Sequence, residues 1–425
     1  MKILMVNKFL FPKGGSETYC LTLGEYLSSQ GHEIQYFGME HKDRCVGNSA
    51  NAYTMSIDFH EAGTLTKLVY SLKTIYSFEA RRKIRLVLDS FHPDMVHLNN
   101  INFQLTPSII YEIRRFGIPM VLTVHDSQIA CPNHRMYIEH QACICEKCLE
   151  QATYIECVKN RCVHGSLLKS IVAAFEAFYY HKRNTYNLLD AYICPSKFIA
   201  SVIERSGVKR ELIHILSNPT DYAPFAETDK PLGSNNKYIL YFGRLIKEKG
   251  IKTLLEVADS TPYINYIFAG AGPLKEDLIG RSNVKYVGFQ TGDSLKSLIA
   301  NAVCTVYPAE WYENCPLSVI ESQVLGTPVL ASDLGGTSEL IEDGVTGRLF
   351  SAKNSGELKR HITDLWFDEK LYRDMNKACL DKKQLTMSEY SEALLNIYEL
   401  AMQRQKKVSR FKQSTVKKMV INQDQ

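Results

Sequence analysis

The sequence predicts an α/β protein of two doubly wound parallel domains, and three observations carry that expectation. Short apolar runs alternate with amphipathic stretches along the chain, as strands alternate with crossover helices in a parallel sheet. The 425 residues exceed one ordinary core and suit two domains of about 200 residues each. A stretch rich in Pro, Gly, Asn and Asp, LSNPTDYAPFAETDKPLGSNN, interrupts the pattern and reads as an interdomain linker.

Taken in order, KILMVNKF, EIQYFG, MVHLNN, PMVLTVHD and AYICPS are the strand candidates of the first domain. Glu17–Ser29 and PSIIYEIRRFG are helices between them. From about Lys237 a second set follows, KYILYFGRL, NYIFAGAG, VKYVGF, CTVYPAE and PVLASDLGG, with KTLLEVADS and PLSVIESQVLG as helices. The expected division is 1–218 with a cysteine-rich insert at 131–162, then 219–387, then a C-terminal helix and basic tail at 388–425. SEYSEALLNIYELAMQRQ reads as an amphipathic helix packing back on the first domain, and KKVSRFKQSTVKKM as a mobile tail. Each strand candidate ends in polar or Gly residues, where ligands of open α/β sheets gather. The two domains are expected to face each other with their strand ends toward a common cleft.

Composition narrows the function classes. A net charge of +4 is too mild to imply nucleic acid. No run of about 18 apolar residues occurs, so no membrane-spanning helix is expected. MKILMVNKFLFPKGGSE has a short apolar run and no small-residue cleavage site, so it reads as a first strand and loop, with the cytoplasm as the default compartment.

Four stretches carry chemistry. Gly14 and Gly15 lie between the first strand and first helix, where backbone N–H groups attract anions; a plain turn explains them equally. GRLIKEKG sets Arg244 and Lys249 just beyond a buried strand. A solvated loop accounts for that pair, and so does a diphosphate site, with a forked guanidinium beside a point-charge ammonium. Glu313 and Glu321 flank Pro316, which suits a first helical turn, so Glu313 falls in the preceding loop and Glu321 about one turn in. Two carboxylates so placed can accept hydrogen bonds from separate hydroxyl groups of one elongated ligand, or be exposed helix charges. Gly335 and Gly336 could offer further N–H groups to an anion.

Taken together, YFGRLIKEKGI, FAGAGP, VKYVGF, the Glu313–Glu321 pair and GTPVLASDLGGTSELIEDGVTGRLF resemble the family 4 retaining glycosyltransferases, over nearly the whole chain. The resemblance implies the GT-B fold of two Rossmann-like domains. It implies that Arg244 and Lys249 bind the donor diphosphate and that Glu321 holds the ribose hydroxyls. Glu313 would hold the transferred sugar, with the backbone of Asn314, Cys315, Pro316 and Leu317 alongside. Gly14 and Gly15 would close on the phosphates from the other domain. His125 in TVHDS matches the family's His near the sugar; a lone His is otherwise a structural hydrogen-bonding residue. The usual NG-x-D near the linker is NPTD here, Asn218 to Asp221, which puts linker contacts in doubt.

The reaction so implied transfers a hexose from a UDP- or GDP-sugar to a glycan or polyprenyl-linked acceptor in surface or capsular polysaccharide assembly, with the inner membrane face as its expected place. Fixed cations near a departing diphosphate lower the barrier to breaking the anomeric bond. Since no Asp-x-Asp pair stands out at a strand end, a metal-independent route is expected. The same fold hosts nucleotide-sugar epimerases, one rival reading. A catalytically silent membrane scaffold is another, which intact Arg244, Lys249, Glu313 and Glu321 argue against.

Six of the twelve cysteines lie between Cys131 and Cys162. Cys145, Cys148, Cys157 and Cys162 could form a tetrahedral zinc site of structural purpose, with Cys131 or Cys143 as alternates; free or disulfide-linked cysteines are the other reading. Look-alikes in the family with an HD…CP block carry a similar insert. TKLVYSLKTIYSFEARRKIRLVL is basic and amphipathic, with Lys67, Lys73, Arg81, Arg82, Lys83 and Arg85. It can meet anionic lipid or simply pack its apolar side on the domain.

Overall fold

The computed structural model describes every residue except 56–72, 152, 221, 223–236 and 422–425. Lys67 and most of the expected linker lie outside the described residues. The chain divides into two compact units. One holds Met1–Met136, Cys145–Ser217 and Met387–Gln425; the other holds Tyr137–Ile144 and Asn218–Thr386.

The first unit runs β1 (Lys2–Val6), α1 (Gly15–Ser29), β2 (Glu33–Phe37), α2 (Phe78–Phe91), β3 (Met95–Leu98), α3 (Ser108–Arg115) and β4 (Met120–Thr123). The hairpin β5 (Tyr137–Ile138) and β6 (Cys143–Ile144) follows, then α4 (Lys147–Gln151), α5 (Ile155–Lys159), α6 (Leu167–Lys182), β7 (Ala191–Cys194), α7 (Lys197–Arg205) and β8 (Ile213–Ile215). Six strands pair in parallel in the order β2-β1-β3-β4-β7-β8. Strands with helices on both sides must be apolar throughout, and β3, β4 and β7 are buried at every residue. Side-chain oxygens of Ser77, Ser166 and Ser196 accept backbone N–H bonds at the starts of α2, α6 and α7.

The second unit runs β9 (Ile239–Phe242), α8 (Ile251–Asp259), β10 (Tyr266–Ala269), β11 (Val284–Tyr286), α9 (Gly292–Ala300) and β12 (Cys304–Tyr307). It continues through α10 (Leu317–Val324), β13 (Val329–Ser332), β14 (Gly347–Phe350), α11 (Ser355–Phe367) and α12 (Glu369–Asp381). Its sheet is β11-β10-β9-β12-β13-β14, again parallel. Alternate residues of β9 feed two cores: Ile239 and Tyr241 pack with Leu254, Phe268 and Val306, while Leu240 and Phe242 pack with Ala269, Ile299 and Leu325. Strand order reverses between β9 and β12, so the loops after those strands form the crevice where open sheets bind ligands.

Helix α13 (Met387–Ile421) returns to the first unit, and its helical run extends through the segment expected to be a mobile tail. Tyr390 and Tyr398 of α13 are fully buried there, in a polar network with Tyr19, His97 and Thr123. The basic stretch also resolves in part. Ile84, Val87 and Leu88 of α2 pack inward, while Arg81 and Arg85 are tied to the buried Glu112 at 2.6 and 2.8 Å.

Three features differ from the sequence reading. Strands β8 and β14 are extra; one has three residues and the other starts on Gly347, so neither makes a legible apolar run. The hairpin Tyr137–Ile144 belongs to the second unit although its chain neighbours belong to the first. Tyr137 packs edge-on against Trp311 at 6.4 Å, and Lys353 Nζ donates to the Ala142 carbonyl.

Candidate functional site

In the second unit the site starts where β9 ends. Gly250 has φ +70°, and a Cβ there would lie 1.8 Å from the Pro308 carbonyl oxygen. Only glycine lets the loop after β9 lie this close to the loop after β12. Between β9 and Gly250, Leu245 is buried and Arg244 is exposed, and Lys247–Lys249 form a single 3-10 turn.

That turn aims Lys249 inward. Its ammonium is 2.6 Å from Glu313 Oε1, and the two side chains are only 12% and 16% exposed. The ammonium also donates to the Tyr307 hydroxyl and lies 4.6 Å from the centre of that ring. Trp311 Nε1–H donates to the same Glu313 oxygen, and the Arg244 guanidinium stands 6.0 Å from the Trp311 ring. Arg244, Trp311, Glu313 and Lys249 therefore form one connected group, with a cation at each end. Trp311 and Tyr307 were not singled out in the sequence; their only signal is position, Tyr307 at the end of β12 and Trp311 in PAEWYEN just after it.

Gly335, φ +60°, begins a 3-10 turn whose Gly336 N–H donates to the Glu313 carbonyl at 2.8 Å. The Gly336 N–H expected to serve an anion is thus committed to holding Glu313. Pro316 precedes α10 as its cap rather than occupying its first turn. Asn218 Nδ2 donates to the Cys315 carbonyl at 2.9 Å, so the departing NPTD stretch contacts the Asn314–Leu317 segment. Glu321 sits one turn into α10, and burial pushes its carboxyl up to about 7.

In the first unit, Gly14 is extended (φ −165°) and caps α1, while Gly15 has open space around its Cα. Neither has the positive φ that would demand glycine. Glu17 is buried in the first turn of α1, with Asn7 Nδ2 3.5 Å from its carboxylate, so an acid already stands at this helix start. Lys8 and Lys13 flank the loop. Burial, then Lys13, lowers the Lys8 ammonium to about 8. These two lysines were also missed, although NKF and PKGG set a cation on either side of the turn.

His125 follows β4. Its Nε2 is 2.9 Å from Asn99 Oδ1, and burial lowers its pKa to about 3, so the ring is neutral near pH 7. With Nε2–H donating to Asn99, Nδ1 carries the acceptor lone pair.

Comparisons with known proteins bear on the family and the fold. A model of Glycosyltransferase Family 4 matches residues 13–223, and a model of glycosyl transferases group 1 matches 225–380. The chain belongs to the GT4-type glycosyltransferases of the GT-B fold. An uncharacterized glycosyltransferase of Methanocaldococcus jannaschii is 24% identical over 95% of this chain and 99% of its own. An uncharacterized 42.6 kDa protein in the cps region of Klebsiella pneumoniae is 23% identical over 80% of this chain and 87% of its own. Among solved structures, HepE of Anabaena in complex with UDP shares the fold, with a TM-score of 0.64 and 17% identity over 93% of this chain and 99% of that one.

The cysteine insert of this glycosyltransferase is divided between the two units. Among the described residues no disulfide joins any of the twelve cysteines. Cys143, one of the alternates, falls in the second unit, where its Sγ reaches Gln141 Oε1 at 3.8 Å. Cys131 is the other alternate: its Sγ reaches Asn133 Oδ1 at 3.0 Å, and Asn133 Nδ2 donates to the Cys162 carbonyl at 3.5 Å. Burial first, and neighbouring thiols after it, push Cys131 up to about 11 and Cys148 up to about 12. Among the described residues no three His, Cys, Asp or Glu side chains are arranged to hold a metal, so the thiols as placed do not form a ligand set.

Proposed function

We propose that this glycosyltransferase moves a hexose from a nucleotide-diphosphate sugar, with retention at the anomeric carbon and without a catalytic metal. The observation that carries the reading is the Arg244–Trp311–Glu313–Lys249 group at the β9/β12 crevice. A partly desolvated ammonium and an exposed guanidinium there can receive the charge that develops on a departing diphosphate. Glu313 accepts from hydroxyls of the sugar, and Glu321 from those of the ribose. Neutral His125 hydrogen-bonds the sugar through Nδ1. In front-face attack the acceptor hydroxyl bonds to the anomeric carbon as the C–O bond to phosphate breaks, and its proton passes to the departing phosphate oxygen.

The UDP complex of HepE supports a UDP-sugar as donor, and the cps-region relative supports a role in capsular or surface polysaccharide. The acceptor in this reading is a lipid-linked glycan at the inner membrane face; among the described residues no helix is long and apolar enough to cross a membrane. A structural zinc on Cys145, Cys148, Cys157 and Cys162, with Cys131 as an alternate ligand, is part of the proposal. Elemental analysis of the purified protein tests it.

Donor use is tested by screening nucleotide sugars for thermal stabilisation, then assaying nucleoside diphosphate release. The expected result is stabilisation by one donor and release that is lost in Arg244→Ala and Lys249→Ala. If no nucleotide sugar binds at millimolar concentration, the transferase reading fails.

A further inference from the structure

Helix α6 shows an apolar face to solvent. Leu167, Leu168, Ile171, Phe175 and Phe178 are 48%, 60%, 45%, 53% and 55% exposed. At about 100° per residue these five fall within a single arc, and Ser170, Ala174 and Tyr180 form the buried side. The row extends onto α2. Tyr179 meets Tyr76 at 6.2 Å, Tyr76 meets Phe78 at 4.9 Å, and Phe78 is mostly exposed. A continuous apolar patch on one unit, larger than scattered surface residues make, marks an interaction surface.

Charge selects the partner. Exposed Lys182 and Arg183 stand at the C-terminal end of the α6 row, and exposed Arg82 lies one turn on from Phe78. The only acid on α6 is Glu176, which lies off the row, and burial raises its carboxyl to about 8. The α6 row thus carries cations at its C-terminal end and no acid of its own, while on α2 the acid beside Phe78 is Glu79, which accepts from the Met55 N–H. A second copy docked on the same face about a two-fold axis would set these cations against one another. An anionic bilayer supplies both an apolar layer for Leu, Ile and Phe and negative headgroups for Lys and Arg.

We infer that the exposed face of α6, continued by Phe78, seats this protein on an anionic lipid surface. This inference deepens the lipid-linked acceptor reading and rests on it for its biological purpose. Placement supports it. The other edge of α6 walls a cavity of about 270 Å³ lined by Gln128, Tyr154, Glu176 and His181 among others. Gln128 is three residues beyond His125, and its Nε2 is buried without a hydrogen-bond partner. The seated face and a polar cavity beside the His125 loop therefore share one helix.

The test is co-sedimentation of the full-length protein with vesicles of phosphatidylcholine alone and with phosphatidylglycerol added. Binding is expected to the anionic vesicles and to weaken as salt rises. The double substitution Phe175→Ser, Phe178→Ser is expected to lower it at least tenfold, while Lys182→Gln with Arg183→Gln removes the preference for anionic lipid. If the double variant fails to fold, Leu168→Gln carries the same expectation. The inference is overturned if the unmodified protein ignores both vesicle types, or if the variants bind them undiminished. It is also overturned if the substitutions merely convert a dimer to monomer, which would assign the face to a second copy. Donor hydrolysis, measured without vesicles, separates the two ideas: unchanged hydrolysis with no vesicle binding sinks only the membrane inference, and bound vesicles without hydrolysis sink only the transferase reading.

Discussion

The Lys249 ammonium stands 2.6 Å from Glu313 Oε1, joining the loop after β9 to the loop after β12. Both side chains are largely withdrawn from water, so each holds the other's charge. Lys249→Met leaves Glu313 uncompensated and is expected to destabilise the protein by about 1–3 kcal/mol in chemical denaturation, more than Glu313→Gln, which keeps an oxygen for Trp311. Lys249→Ala is also expected to lower kcat by about a hundredfold or more, since it removes a cation aimed at developing charge. Equal stabilities for Lys249→Met and the unmodified protein would show that the pair holds nothing.

Two glycines separate structural from ligand roles. Gly250→Ala meets the Pro308 carbonyl and an unfavourable φ, so a loss of several degrees in Tm and weaker donor binding are expected together. Gly15→Ala meets nothing within 4 Å, so its Tm is expected to match the unmodified protein. If Gly15 lies against the donor phosphates, its added methyl still weakens donor binding, which isothermal titration measures. Unchanged donor affinity in Gly15→Ala would remove that glycine from the donor site.

The two sheets are legible in the sequence because β1, β4, β9 and β13 carry continuous apolar runs that stop at polar or Gly residues. Strands β8 and β14 escape because one has only three residues and the other opens on Gly347, and both lie at a sheet edge. The motif residues Arg244, Lys249 and Glu313 are legible as a set, but their pairing is not. No spacing rule announces that Lys249 will meet a carboxylate sixty-four positions on, or that Trp311 will bridge to Arg244. The glycine pairs read ambiguously for a physical reason: the same residue serves a ligand, a cap or a close backbone approach. Gly336 spends its N–H on Glu313, and Gly14 caps α1 beside Glu17. The hairpin at Tyr137–Ile144 changes units through packing on Trp311, which its own residues do not signal.

Glu321 predicts a pH dependence. Burial raises its folded pKa to about 7 from an ordinary 4.5, so the folded protein keeps a proton that the unfolded chain releases. Its contribution to stability is therefore greatest below pH 4.5 and declines as pH rises toward 7. Donor binding runs the other way if the ionised carboxylate accepts from ribose hydroxyls. From pH 6 to 8 the ionised fraction rises from about one-tenth to about nine-tenths, so donor affinity is expected to increase several-fold. Titrations with Glu321→Gln are expected to be flat across that range. A flat profile for the unmodified protein would deny Glu321 the ribose role.

His97 predicts acid lability. The ring is fully buried, with Nδ1 2.6 Å from the Tyr398 hydroxyl and Nε2 2.7 Å from Thr123 Oγ1. Burial, with a smaller effect of His125, lowers its pKa to about 3. The unfolded chain takes up a proton near the ordinary value of 6.5 and the folded protein does not, so stability present above that value is lost as pH falls toward 3. Below about pH 6 this single ring is expected to contribute about 1.4 kcal/mol of lost stability per pH unit. Urea unfolding at pH 7, 6 and 5 measures that slope, and His97→Gln should reduce it. Tyr398→Phe leaves a buried ring nitrogen without its partner and is expected to cost about 1–3 kcal/mol at pH 7. Because Tyr398 sits on α13, that loss would also show how far the C-terminal helix stabilises the sheet that carries His125; a neutral Tyr398→Phe would sever the link.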